Sequence, residues 1–113
     1  MNKRDELIIK YVKDLKDKFN IDADTELLTK VTIGLGPSIY NADSSTVSSS
    51  DEKEIETVRS KFLIGKLGLD DTQALDEGIS DVLERYGRTN RTKYRAVVYY
   101  LLVKHFGKET VYQ

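Results

Sequence analysis

The sequence contains no cysteine, so it forms neither a disulfide nor a thiolate metal site, and a reducing compartment suits it. Long apolar runs are missing too. The longest, Ala96 to Val103, holds eight residues between Arg95 and Lys104, far below the ~18 that read as a bilayer span. Near the start, Leu7-Ile8-Ile9 is interrupted at Lys10 and Lys13, which excludes a secretory core of ~7–15 apolar residues. With these absences the expected setting is the cytoplasm, with no membrane association.

Catalytic signatures are equally scarce. His105 is the sole imidazole, and a lone His needs an orienting partner that the sequence does not name, so it reads as a structural residue. No G-x-S-x-G nucleophile motif occurs, and the seven serines from Ser38 to Ser60 belong to loop and cap chemistry. Gly34-Leu35-Gly36-Pro37-Ser38 lacks the G-x-x-x-x-G-K-[ST] pattern of a phosphate loop and reads as a helix-ending turn. Asn20-x-Asp22-x-Asp24 resembles the start of a calcium loop, yet Thr25 falls at the required Gly and Val31 at the bidentate Glu. Asp51-Glu52 and Asp70-Asp71 sit at expected helix starts, where capping explains them without a metal. No catalytic set, metal site or cofactor is therefore assigned. An enzyme is the third reading, with Tyr40, Asp43, His105 and an arginine cluster as scattered groups that folding would have to assemble.

What the chain does contain is helical periodicity over 113 residues, the length of one domain. Leu7, Ile8, Tyr11, Val12, Leu15 and Phe19 predict an amphipathic helix over about residues 4–19. Asp22 or Asp24 is the expected cap of a second helix carrying Leu27, Leu28, Val31 and Leu35, ended by Gly34, Gly36 and Pro37. A short strand at Val31-Thr32-Ile33 is the weaker alternative, because no other strand signal accompanies it. Residues 42–50, ADSSTVSSS, read as a surface loop. Ser49 and Glu52 match a capping box for a third helix, with Ile55, Val58, Phe62, Leu63 and Ile64 facing inward before Gly65 and Gly68. Asp70 or Asp71 is expected to cap a fourth, bearing Leu75, Ile79, Val82, Leu83 and Tyr86 and stopped by Gly87. Thr89 or Asn90 then caps a fifth that runs through the apolar block to Phe106 and Gly107, with residues 108–113 as a short tail. The expected fold is all-α: five helices in one domain, packed around a last helix that is apolar on every side and must be buried.

Charge is segregated. Residues 1–19 carry six cations against four anions, residues 20–81 five against thirteen, and residues 82–113 seven against two. The acidic middle and the basic end can pair within the fold or between copies, or face different partners.

The stretches LLTKVTIGLGPSIYNAD (Leu27 to Asp43), FLIGKLGL (Phe62 to Leu69) and AVVYYLLVKHFGKE (Ala96 to Glu109) resemble a small bacterial family, domain of unknown function number 2853. The resemblance runs nearly end to end. It implies a compact helical fold and a bacterial cytoplasmic setting, and it assigns no catalytic or binding residue.

Function must come from the residues. A noncatalytic binding module acting on a protein partner, or on a second copy of itself, is the first reading. The alternative is contact with a phosphate-type anion, a nucleotide or nucleic acid through Arg88, Thr89, Arg91, Thr92, Lys93 and Arg95. Placed at the start of the fifth helix, Arg91 and Arg95 would share a face, and free backbone donors, hydroxyls and guanidinium groups suit a phosphate or carboxylate. The same cations can instead pair with the acidic third helix. Tyr94, Tyr99 and Tyr100 can stack on bases, but helical spacing favours core packing, and the acidic whole, pI about 5.8, weakens a nucleic-acid role.

Overall fold

Asn2 accepts the Asp5 N–H at 2.8 Å and so caps α1 (Lys3–Phe19). The computed structural model describes residues 2–113. Asp5 and Glu6 in the first turn and Lys16 and Lys18 in the last suit the helix dipole. Asn20 then adopts a left-handed conformation, and Ile21 N–H returns to Leu15 O at 3.1 Å, closing the helix end.

Asp24, not Asp22, caps α2 (Thr25–Leu35), accepting from Leu27 N–H at 3.2 Å, while Asp22 pairs with Lys16. Leu27, Leu28 and Val31 are buried as the spacing predicts, and Val31-Thr32-Ile33 is helical. Gly36, at φ 64°, ends the helix, and a 3-10 turn around Pro37 (Gly36–Tyr40) tucks Ile39 inside.

The serine-rich loop is tied to the body of the protein. Val47 is buried, its N–H reaches Lys93 O at 2.8 Å, and Arg95 N–H reaches Ser45 O at 2.8 Å. A helix then starts with α3 (Glu52–Thr57) and continues unbroken as a π-helical segment (Val58–Lys66). The expected Ser49–Glu52 capping box does not form. Asp51 takes the cap, accepting from the N–H groups of Lys53 and Glu54. Gly65 stays within the helical run, which ends where Gly68 takes φ 71° and Leu69 N–H reaches back to Leu63 O.

Thr72 precedes α4 (Gln73–Tyr86), without a side-chain cap bond. Asp71, one of the two expected caps, instead pairs with Arg59, which also holds Asp76. All five apolar positions expected to face inward, Leu75, Ile79, Val82, Leu83 and Tyr86, are buried, and Gly87 at φ 100° ends the helix.

The last helix, α5 (Arg95–His105), begins later than its sequence predicts. Tyr94 is its N-terminal boundary, and Thr89 and Asn90 lie in the preceding loop. Local bonds explain the delay: Asn90 N–H turns back to Gly87 O, and Thr92 N–H bonds the Asn90 side chain. Every residue from Arg95 to Val103 is buried. α5 packs against α1, α2 and α4, so the one helix without a polar face occupies the centre. At roughly 1.5–3 kcal/mol per large apolar side chain, its burial rivals a domain's net stability.

Residues 108–113 do not trail away as a tail. After Gly107 a 3-10 turn (Glu109–Tyr112) folds back on α2, with Val111 and Tyr112 half-buried against the core. The fold is all-α. Its radius of gyration, 13.0 Å, is that of one compact domain, about 13 Å for 100 residues.

Candidate functional site

The candidate cations do not form one cluster. Arg95, 8% exposed, directs its guanidinium inward: Nε donates to Ser44 O at 2.7 Å, Nη1 to Tyr99 Oη at 3.0 Å, and Nη2 to Thr46 O and the Glu54 carboxylate. Burial opposes its charge, yet the Tyr99 and Glu54 oxygens hold its pKa above the ordinary arginine value. The basic end of the chain does meet the acidic third helix, at this residue.

Lys93 is still more enclosed, at 2% exposure. Its ammonium donates to the carbonyls of Arg88 and Asn90, which folds the 88–93 segment around it. Burial, and then the nearby Arg88, push its pKa down. Arg88 reaches outward over α4, donating to Ser80 Oγ at 3.0 Å and lying 3.8 Å from Glu84. Arg91 is exposed, and among the described residues no carboxylate lies within ion-pair distance of it.

Four of the six candidates, Arg88, Thr89, Arg91 and Lys93, line one wall of a cleft of 510 Å³. Thr92 and Arg95 lie outside it. The opposite wall is the segment Thr46 to Ser50, so the cleft sets three cations and the Thr89 hydroxyl facing four hydroxyls, with no carboxylate along its lining. Those serines carry no motif, and the antiparallel bridge between Thr46 and Tyr94, with the Arg95 guanidinium on the Ser44 and Thr46 carbonyls, brings them across from the arginines. No sequence signal announces a pairing between segments so distant in the chain.

Two features expected of this site are absent from it. Arg91 sits in a loop, so it shares no helix face with Arg95. Nor does the start of α5 offer free donors at Tyr94 and Arg95, whose N–H groups are bound to Tyr86 Oη at 3.1 Å and to Ser45 O. The cleft depends on loop side chains rather than on a helix dipole.

Other singled-out groups are scattered. His105 lies 4.0 Å from Asp81 and lines a separate 340 Å³ hollow with Arg85 and Lys104. Tyr40 and Asp43 are exposed, the first ending a 3-10 turn and the second in the loop. Tyr99 stacks on Phe62 at 3.9 Å, Tyr94 packs on Tyr11 at 5.2 Å, and Tyr100 Oη accepts from Asp24 N–H at 2.9 Å. None of these three rings lines the cleft. Among the described residues no three His, Asp or Glu side chains group as metal ligands, and no helix is long and apolar enough to cross a membrane.

No curated protein matches this chain in sequence. The three blocks from Leu27 to Glu109 that suggested a family lie within residues 10–110, which the model of one family spans. The chain belongs to that family, described as Protein of unknown function (DUF2853).

Proposed function

We propose that this chain is a noncatalytic binding module whose ligand is a phosphate-type oxyanion, taken in the cleft between Ser48–Ser50 and Arg88–Lys93. One observation carries the reading: three cations and five hydroxyls line a single cleft of 510 Å³ whose lining includes no carboxylate. Guanidinium groups offer paired donors and hydroxyls adapt to either role, a combination suited to phosphate oxygens. The absence of an aromatic ring favours a small oxyanion over a nucleobase, which would need a stacking surface.

Association with a protein partner or a second copy draws its support from charge segregation. Part of that charge is used inside the fold, between Arg95 and Glu54. Catalysis has weaker support still, since the only imidazole stands 4.0 Å from Asp81, beyond hydrogen-bond reach of an orienting carboxylate.

Titration with inorganic phosphate at low salt, followed by amide chemical shifts, tests the proposal. Saturable shifts at Ser48–Ser50 and Thr89–Lys93, lost in Arg88→Gln/Arg91→Gln, are expected. Shifts confined to other segments, or none at all, would refute it.

A further inference from the structure

The segment Val58–Lys66 hydrogen-bonds in a π register, which the next residue continues with a bond from Leu67 N–H to Phe62 O at 2.9 Å. Such widened turns are rare and concentrate at functional sites. Here the register changes where two lysines stand. On a turn of 3.6 residues, positions five apart lie about 140° round the helix, whereas the i→i+5 turn returns them close to one face. Lys61 and Lys66 accordingly line the same hollow, 210 Å³ in volume.

The interior of that hollow is apolar. Phe62, stacked on Tyr99, forms its floor, and Leu35 and Tyr112 border it. Gly34 leaves the α2 side open: a Cβ there would meet only the Tyr112 ring, at 3.7 Å. Lys66 Nζ stands 5.3 Å from the centroid of the Tyr112 ring. Among the described residues neither lysine has a carboxylate within ion-pair distance. Two exposed cations without an acidic partner thus border a small aromatic pocket.

We infer that this hollow is a second binding site, for a small aromatic carboxylate, with the ring against Tyr112 and the Phe62–Tyr99 stack and the carboxylate between Lys61 and Lys66. Size supports one ring with a short stem, because a cavity of about 150 Å³ already admits benzene. Ring packing against aromatic side chains and a charged head at the rim follow the usual division of labour in small-molecule sites. The site shares no residue with the oxyanion cleft, and neither proposal depends on the other.

The probe is 3-phenylpropionate, titrated into the intact protein while amide shifts are recorded, with neutral 3-phenylpropionamide as its control. Saturable shifts centred on Gly34, Lys61–Lys66 and Tyr112 are expected, with the amide at least tenfold weaker. Two variants read the two halves of the site. Lys61→Gln/Lys66→Gln removes the charge from exposed positions, and Gly34→Leu fills the hollow from an exposed helical position. Each should weaken binding at least tenfold while the remaining spectrum confirms the fold. Equal binding of acid and amide, shifts centred elsewhere, or unchanged affinity in Gly34→Leu would overturn the inference.

Discussion

Arg95 and Glu54 form an ion pair between residues 41 positions apart in the chain, joining the first turn of the central helix to α3. The same guanidinium holds two carbonyls of the serine-rich loop, so one side chain ties three segments together. Replacing it leaves Glu54 and those carbonyls without their donor in a nearly buried place. Arg95→Met should cost about 3 kcal/mol or more, measured by urea unfolding, and Glu54→Leu in the same chain should recover part of the loss.

Arg91 and Arg95 should separate cleanly in experiment. Arg91 is exposed and faces the cleft, so Arg91→Gln is expected to weaken phosphate binding several-fold while changing stability by no more than about 0.5 kcal/mol. Binding in the native protein should fall as salt rises, because an exposed guanidinium is screened. Unchanged phosphate affinity in Arg91→Gln would remove this residue from the site.

Tyr11 is fully buried, and among the described residues its hydroxyl finds no hydrogen-bond partner. Tyr11→Phe should therefore stabilise the protein at neutral pH by about 1 kcal/mol, seen as a raised Tm. Alkali gives a second readout. Burial, with Tyr94 and Tyr40 nearby, pushes the Tyr11 phenol up to about 12, and burial does the same for Tyr112. The unfolded phenol loses its proton near pH 10 while the folded one keeps it, so stability is intact below pH 10 and falls as pH rises from 10 to 12. The Phe variant should show a shallower alkaline loss.

Tyr86 serves both ends of its hydroxyl. It donates to the Asp14 carboxylate and accepts Tyr94 N–H at 3.1 Å, just where α5 begins. Burial, reinforced by Asp14, holds its pKa well above the ordinary tyrosine value. Tyr86→Phe should cost about 1–3 kcal/mol, with faster amide exchange at Tyr94 marking the freed donor.

Gly78 lies under the ring of Phe106, whose Cζ would stand 2.5 Å from an added Cβ. Alanine favours the helix by up to about 1 kcal/mol, but the overpacked contact should outweigh that gain. Gly78→Ala is expected to lower Tm, and Phe106→Leu in the same chain should restore it.

The helices were legible because their apolar positions recur at helical spacing. The inward residues of α4 needed no tertiary information, and the apolar block in α5 could only be central. The start of α5 was not legible. Capping rules favour Thr89 or Asn90, but Asn90 is drawn into a turn on Gly87, Tyr94 is held by the Tyr86 hydroxyl, and Arg95 by Ser45, a partner far away in the sequence. The cleft was half visible for the same reason. Arg88, Thr89, Arg91 and Lys93 stand close together in the chain, whereas Ser48–Ser50 reach them only through the folded loop. The π register left no periodic signature, since Phe62 and Leu63 are buried in a pattern that an ordinary helix would also show.

The bridge between Thr46 and Tyr94 bears on how a ligand would be met. It anchors the serine wall to the start of the central helix, whose residues from Arg95 to Val103 are all buried. The ordering entropy of that wall is settled during folding, with Val47 already inside the core. An oxyanion bound as proposed would meet walls already in register, and its binding free energy would not be spent on assembling the site.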